Sequence, residues 1–186
     1  MNQKQKQYLL QLARRALEKY LQNQTLLQID ETDLSPELTK PTATFVTLTK
    51  NGELRGCLGE LEAQKPLYQS VIDNSLASAF LDPRFPPLSA EELPEIKIEI
   101  SLLGPLKKLP SFQNQAELCS YLSQKKPGLF LKKGSAQATF LPQVWEELPW
   151  PQDFLSQLCL KAGLPPEAWQ NLDLELFEYQ VESFQE

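Results

Sequence analysis

"ATFVTLTK" (residues 43–50), followed by Asn51-Gly52 and "ELRGCLGE" (residues 53–60), is the stretch on which the fold turns. The first run is β-branched and reads as a strand. Asn51 and Gly52 both tolerate positive φ, so together they predict a two-residue hairpin turn. The second run then reads as the returning strand, although it places Gly56, Cys57 and Gly59 where packing groups would normally stand. A hairpin here commits the chain to an antiparallel sheet, and the remaining segments must supply the cover for it.

Upstream, Leu9, Leu12, Ala13, Ala16, Leu17, Tyr20 and Leu21 fall on one helical face, with Lys, Arg and Gln opposite. Downstream, "PLYQSVIDNSLASAF" predicts a helix that begins near Pro66, and the three prolines of "LDPRFPPL" and its neighbourhood forbid its continuation. "IKIEISLL" alternates Ile96, Ile98 and Ile100 with polar residues, the pattern of a half-buried antiparallel strand. "GPLKKLPS" reads as a linker. Beyond it come a helix in "FQNQAELCSYLSQ", strands in "GLFLKK" and "AQATFL" around Gly134, a short helix in "PQVWEEL" and a helix in "PQDFLSQLCLKAG". A helical turn in "PPEAWQN" and one closing strand in "LELFEYQVESF" complete the chain. Helices and antiparallel strands therefore form two clusters, which predicts an α+β chain of two subdomains.

Bulk chemistry narrows the function. The chain has 186 residues, 41% of them hydrophobic and 23% charged, as in ordinary globular proteins. A net charge of −6 disfavours binding to phosphate backbones. The pairs Lys107-Lys108, Lys125-Lys126 and Lys132-Lys133 read as solvated charges. The N-terminal stretch shows no uninterrupted apolar core of a signal peptide, and no run approaches the roughly 18 apolar residues of a membrane span. Three isolated cysteines, at 57, 119 and 159, argue against a disulfide framework and for a reducing compartment, so a cytoplasmic location is expected. There is no histidine. That removes Ser-His and Cys-His nucleophile pairs and His-ligated zinc. No metal and no cofactor are assigned.

Several motifs resemble those of one family. "LRGCLG", "SAFLDPRFPPLSAEELPEIKIEISLLGP", "ATFLPQVWEELP" and "FLSQLCLKAGLPPEAW" stand in the order of the AMMECR domain family, called AmmeMemoRadiSam system protein A in bacteria and archaea. The resemblance runs from about residue 43 to the C-terminus, and the first helix fits it too. It implies two unequal α+β subdomains with antiparallel sheet flanked by helices. Residues 1–104 with 172–186 would form the larger and residues 105–171 the smaller. It also implies association with a Memo-like protein and a radical-SAM enzyme, and it marks Arg55, Gly56 and Cys57 as the family's best-known signature. It supplies no reaction. The chain departs from the family pattern before "LPQVW", where "KPGLFLKKGSAQATF" is short and offers Gln137-Ala138 in place of an Arg-Gly pair.

Within the opening hairpin, strict alternation puts Leu54, Gly56 and Leu58 on a core face, and Arg55, Cys57 and Gly59 on the other, with Arg55 and Cys57 about 7 Å apart. A guanidinium there favours the thiolate, and Gly56 and Gly59 admit a ligand or a second backbone. The competing reading makes Cys57 a small buried hydrophobe and the glycines a bulge. Cys119 and Cys159, among leucines, read as core. In "DPRF", Asp82 caps its own turn and Pro83 stiffens it. Arg84 is then presented to a carboxylate or phosphate, or simply pairs with Asp82. Asn74 on the preceding helix is placed toward the same cleft. In "LPQVWEE", Gln143 and Trp145 are candidate binding residues and Glu146 a candidate base. Trp145 also reads as core, the commoner place for such a residue.

Three functions stay open. An enzyme or enzyme subunit would use Cys57 as nucleophile or transient acceptor, with Glu146 or Asp82 as base. A binding module would hold an anionic ligand or a partner segment between Arg55, Cys57 and Arg84. A scaffold would dock a partner on the first helix.

Overall fold

Asn51 and Gly52 take φ of 54° and 85°, the conformation a tight primed hairpin turn requires. In the computed structural model, which describes residues 1–186, they join β1 (Thr44–Lys50) to β2 (Glu53–Gly59). On its other side β1 pairs antiparallel with β3 (Ile96–Leu103), and β8 (Val181–Gln185) completes a sheet of order β2-β1-β3-β8. Val46 and Leu48 of β1, with Ile96, Ile98 and Ile100 of β3, fill one face of it.

Helix α1 (Gln3–Asn23) begins with a capping box between Asn2 and Gln5 and packs its Leu9, Leu12, Ala13, Ala16 and Leu17 stripe into that core. After the short α2 (Pro36–Thr39), α3 (Leu67–Phe80) packs on α1 and on the hairpin. Tyr20 of α1 meets Phe80 of α3, ring centroids 4.8 Å apart. These elements form one unit, Met1–Leu103 with Glu182–Glu186.

The second unit, Gly104–Val181, has its own sheet of order β4-β7-β5-β6. Its strands are β4 (Lys107–Lys108), β5 (Gly128–Lys133), β6 (Ala136–Phe140) and β7 (Glu175–Tyr179). Helices α4 (Gln115–Lys125), α5 (Val144–Glu147) and α6 (Pro151–Lys161) supply the cover. Leu118, Leu122, Leu129, Leu131, Phe154 and Leu158 form its core. The α+β class, the antiparallel pairing and the two unequal units agree with the sequence reading.

Three expectations need correction. The closing strand is two strands, because β7 lies between β5 and β4 in one sheet and β8 beside β3 in the other. The return to the first unit is accordingly shorter than residues 172–186. Tyr179 anchors the earlier part: it is buried, exchanges a hydrogen bond with Thr139 at 2.6 Å and donates to the Phe140 carbonyl at 3.1 Å. Gly128 leaves room for its ring, since a Cβ there would lie 2.5 Å from it. The expected linker "GPLKKLPS" contains β4, formed because Lys107 and Lys108 pair with Glu178 and Phe177.

The third correction concerns β2. Leu48 opposes Gly56, but Thr49 opposes Leu54, so Arg55 is the extra residue of a β-bulge. Alternation breaks there. Leu54 is 43% exposed, whereas Arg55 is buried.

Candidate functional site

The bulge re-aims Arg55. Its Nε and Nη2 donate to Glu92 Oε1 and Oε2 at 3.0 and 2.9 Å, a side-on bidentate pair. Glu92 also accepts from the Ser89 amide at 3.2 Å and from Lys50 Nζ at 3.5 Å. The Arg55 hydrogen bonds hold the Glu92 carboxyl down at about 2. Arg55 Nη1 is buried without a hydrogen-bond partner.

Gly56 has no room for a side chain: a Cβ would lie 2.1 Å from the Ser78 carbonyl oxygen of α3. Ser78 stitches helix to hairpin. Its hydroxyl donates to the Val46 carbonyl at 2.7 Å and accepts from the Leu58 amide at 2.8 Å. Gly59 is needed for the same kind of reason, since a Cβ would meet the Thr44 carbonyl at 2.3 Å and the Phe45 ring at 2.5 Å. Backbone and core occupy the space expected for a ligand at both glycines.

Cys57 is half-buried and lies opposite Thr47 on β1. The Thr47 hydroxyl donates to Cys57 Sγ at 3.2 Å. The Cys57 amide donates to Asp82 Oδ2 at 2.8 Å, and its carbonyl accepts from Arg84 Nη2 at 3.2 Å. The DPRF turn thus satisfies the free edge of β2 with side chains in place of another strand.

Asp82, 4% exposed, accepts three bonds from Arg84: from the amide at 3.1 Å, Nε at 2.9 Å and Nη2 at 2.6 Å. The Arg84 guanidinium holds its carboxyl far below the usual range, and burial only partly offsets this. The side chain of Arg84 is 54% exposed. Its Cζ stands 5.5 Å from the Phe85 ring centroid, and that of Arg55 stands 5.9 Å from the same centroid. Glu92, Thr47 and Phe85 are the neighbours that sequence reasoning missed. "AEELP" and a strand threonine carry no signal that singles them out.

The remaining candidates are placed elsewhere. Asn74 is buried, and its Nδ2 donates to the Thr44 carbonyl at 3.1 Å, to Thr44 Oγ1 at 2.8 Å and to Ser70 Oγ at 3.3 Å. It clamps α3 to β1 and does not join the Arg84 cluster. Gln143, Trp145 and Glu146 belong to the second unit. Trp145 is core there: Nε1 donates to the Pro127 carbonyl at 2.8 Å, and the indole stacks on Phe154 with centroids 3.8 Å apart. Gln143 and Glu146 are exposed. Cys119 and Cys159 are buried, and burial pushes both thiols up. No group of three or more Cys, Asp or Glu side chains is placed to hold a metal ion. No helix is long and apolar enough to cross a membrane.

Chemically, the first-unit cluster offers an anchored, half-exposed guanidinium beside a thiol. Its two carboxylates, Asp82 and Glu92, are both committed to arginines and stay ionised at neutral pH, which makes them poor proton carriers there.

A family model named AMMECR1 matches residues 10–184. A protein of Methanopyrus kandleri is 38% identical over 184 residues, covering 97% of this chain and 87% of that protein. One of Methanothermobacter thermautotrophicus is 36% identical over 179 residues, covering 96% of this chain and 92% of its own. The crystal structure of an uncharacterized protein from Pyrococcus horikoshii is similar with a TM-score of 0.87 at 34% identity. The match covers 96% of this chain and 90% of that one.

Proposed function

The chain belongs to the AMMECR1 family, and on that premise we propose that it acts by recognition, as an accessory subunit of a modification system. The surface around Arg55, Cys57 and Arg84 receives an anionic group of a partner protein. One observation carries this reading: Arg84 is fixed by Asp82 and by the Cys57 carbonyl, yet its side chain is 54% exposed beside the Cys57 thiol. A pre-positioned guanidinium loses little freedom when it takes a carboxylate. The Memo-like protein and the radical-SAM enzyme implied by the motif order are the partners to test.

A second reading makes Cys57 a nucleophile. The Thr47 hydroxyl on its sulfur favours that reading. The commitment of Asp82 and Glu92 to arginines weighs against it, because a nucleophilic thiol needs a proton acceptor of suitable strength.

The test is calorimetric titration of the purified Memo-like protein into the wild type, Arg84→Ala and Cys57→Ser. Recognition predicts that Arg84→Ala weakens association at least about tenfold, as loss of a charge-assisted hydrogen bond implies, and that Cys57→Ser stays close to the wild type. Loss with Cys57→Ser and retention with Arg84→Ala reverses the assignment in favour of the thiol.

A further inference from the structure

Arg55 and Arg84 are held in the same manner. Each gives Nε and Nη2 to one carboxylate, Glu92 for Arg55 and Asp82 for Arg84. Each therefore keeps its third nitrogen, Nη1, outside its ion pair. On Arg55 that nitrogen is buried and unpartnered, on a residue only 8% exposed. A buried donor without an acceptor costs as much as a lost hydrogen bond, and native structures seldom tolerate one without a use. On Arg84 the corresponding nitrogen sits on a half-exposed side chain. Both guanidiniums approach the single half-buried Phe85 ring. Arg84 thus offers its donor at the surface beside the Phe85 ring, and Arg55 holds its own beneath the surface.

Charge selects the ligand class. Each guanidinium is already balanced by its own carboxylate, and Lys50 is balanced by Glu92 and Glu95. A phosphate dianion would meet Asp82 and Glu92 without a surplus of positive charge to offset them. A neutral carbonyl or a single carboxylate needs only the spare N–H groups. The chain around the two arginines is apolar and exposed: Leu54 at 43%, Leu81 at 72%, and Pro83, Pro86 and Pro87. Acceptors separated by apolar groups describe a polypeptide.

We propose that the Arg55–Phe85–Arg84 surface binds an extended, carboxylate-bearing polypeptide segment, with a main-chain carbonyl on Arg55 Nη1 and the carboxylate on Arg84 Nη1. Binding therefore requires the side chains that cover Arg55 Nη1 to move aside. This rests on the recognition reading above and names its ligand class.

The test follows arginine side-chain nitrogen signals by NMR in the full chain during titration with four probes: N-acetylglycine, acetate, N-acetylglycinamide and inorganic phosphate. The expected result is that N-acetylglycine shifts both Arg55 and Arg84 and binds about tenfold tighter than acetate, the gain of one further charge-assisted hydrogen bond. Phosphate binds more weakly than N-acetylglycine. If Arg84 alone responds, equally to acetate and N-acetylglycine, the two-point ligand is wrong and recognition by Arg84 stands. If phosphate binds most tightly, the ligand class is wrong and an anion site stands. If no probe moves Arg84, both readings fail together.

Discussion

Arg84 closes side-on over Asp82, Nε to Oδ1 at 2.9 Å and Nη2 to Oδ2 at 2.6 Å, while the same Oδ2 accepts the Cys57 amide at 2.8 Å. One carboxylate therefore holds both the free edge of β2 and the cation beside the thiol. A buried acceptor with four donors is costly to remove, because those donors lose their partner together. Asp82→Ala should lower stability by about 2–3 kcal/mol, read from the urea midpoint at constant slope. Asp82→Asn, which keeps a carbonyl for the Cys57 amide, should lose less. A loss within about 0.5 kcal/mol for the alanine variant would show that the edge of β2 does not depend on this residue.

Glu92 makes the fold acid-sensitive. Its folded value of about 2, set by the Arg55 hydrogen bonds, lies below the unfolded value of about 4.3. A depressed carboxylate stabilises the fold at pH above the unfolded value, and that stabilisation drains away as pH falls toward the folded value. The gap in unfolding free energy between wild type and Glu92→Gln should be flat above about pH 5.5. Below that it should narrow by at most about 1.4 kcal/mol per pH unit, the limit for one proton. A gap that stays constant down to pH 3 would mean that the Arg55–Glu92 pair contributes nothing in solution.

Gly56 is a packing requirement. With a Cβ 2.1 Å from the Ser78 carbonyl, Gly56→Ala forces β2 and α3 apart, and overpacking of this kind costs about 3 kcal/mol. Gly104→Ala, where the nearest atom to a Cβ is the Gln180 carbonyl oxygen at 3.4 Å, is the mild comparison. Thermal unfolding of the two variants separates the cases. Equal melting temperatures would leave the glycine of the "RGC" motif without a structural reason.

Trp145 is a core residue of the second unit. Trp145→Ala removes the stack on Phe154 and the Nε1 bond to the Pro127 carbonyl, and should cost about 4 kcal/mol. Trp145→Phe keeps an aromatic ring and should cost markedly less. A Trp145→Ala protein as stable as the wild type would return the residue to the surface role considered from sequence.

The architecture was legible where local chemistry and tertiary packing agree. Asn51-Gly52 announces its turn, the Ile96–Ile98–Ile100 alternation its strand, and the Leu9–Leu17 stripe its buried face. The handover at Gln180 was not, because no glycine or proline marks it, although residues on either side pair in different sheets. The bulge at Arg55 was invisible for a related reason: an inserted residue changes pairing with β1, not the composition of β2. Alternation then assigned Arg55 to the wrong environment. In the site itself, Cys57, Asp82 and Arg84 could be picked out, Asp82 and Arg84 through the chemistry of a rigid DPRF turn. Glu92, from a separate segment, and Thr47, across the hairpin, could not, because only folding brings them to Arg55 and Cys57.

Whether Arg84 draws an anion to Cys57 is read by alkylating the folded protein with two reagents of opposite demand, anionic iodoacetate and neutral iodoacetamide. Mass spectrometry follows Cys57, with the buried Cys119 and Cys159 as internal references. The iodoacetate-to-iodoacetamide rate ratio at Cys57 should fall several-fold in Arg84→Gln and recover toward the wild type in Arg84→Lys, while the other two cysteines stay slow with both reagents. A ratio at Cys57 that is the same in wild type and Arg84→Gln would contradict anion recognition by Arg84, which would then exert no pull on an anion arriving at the thiol.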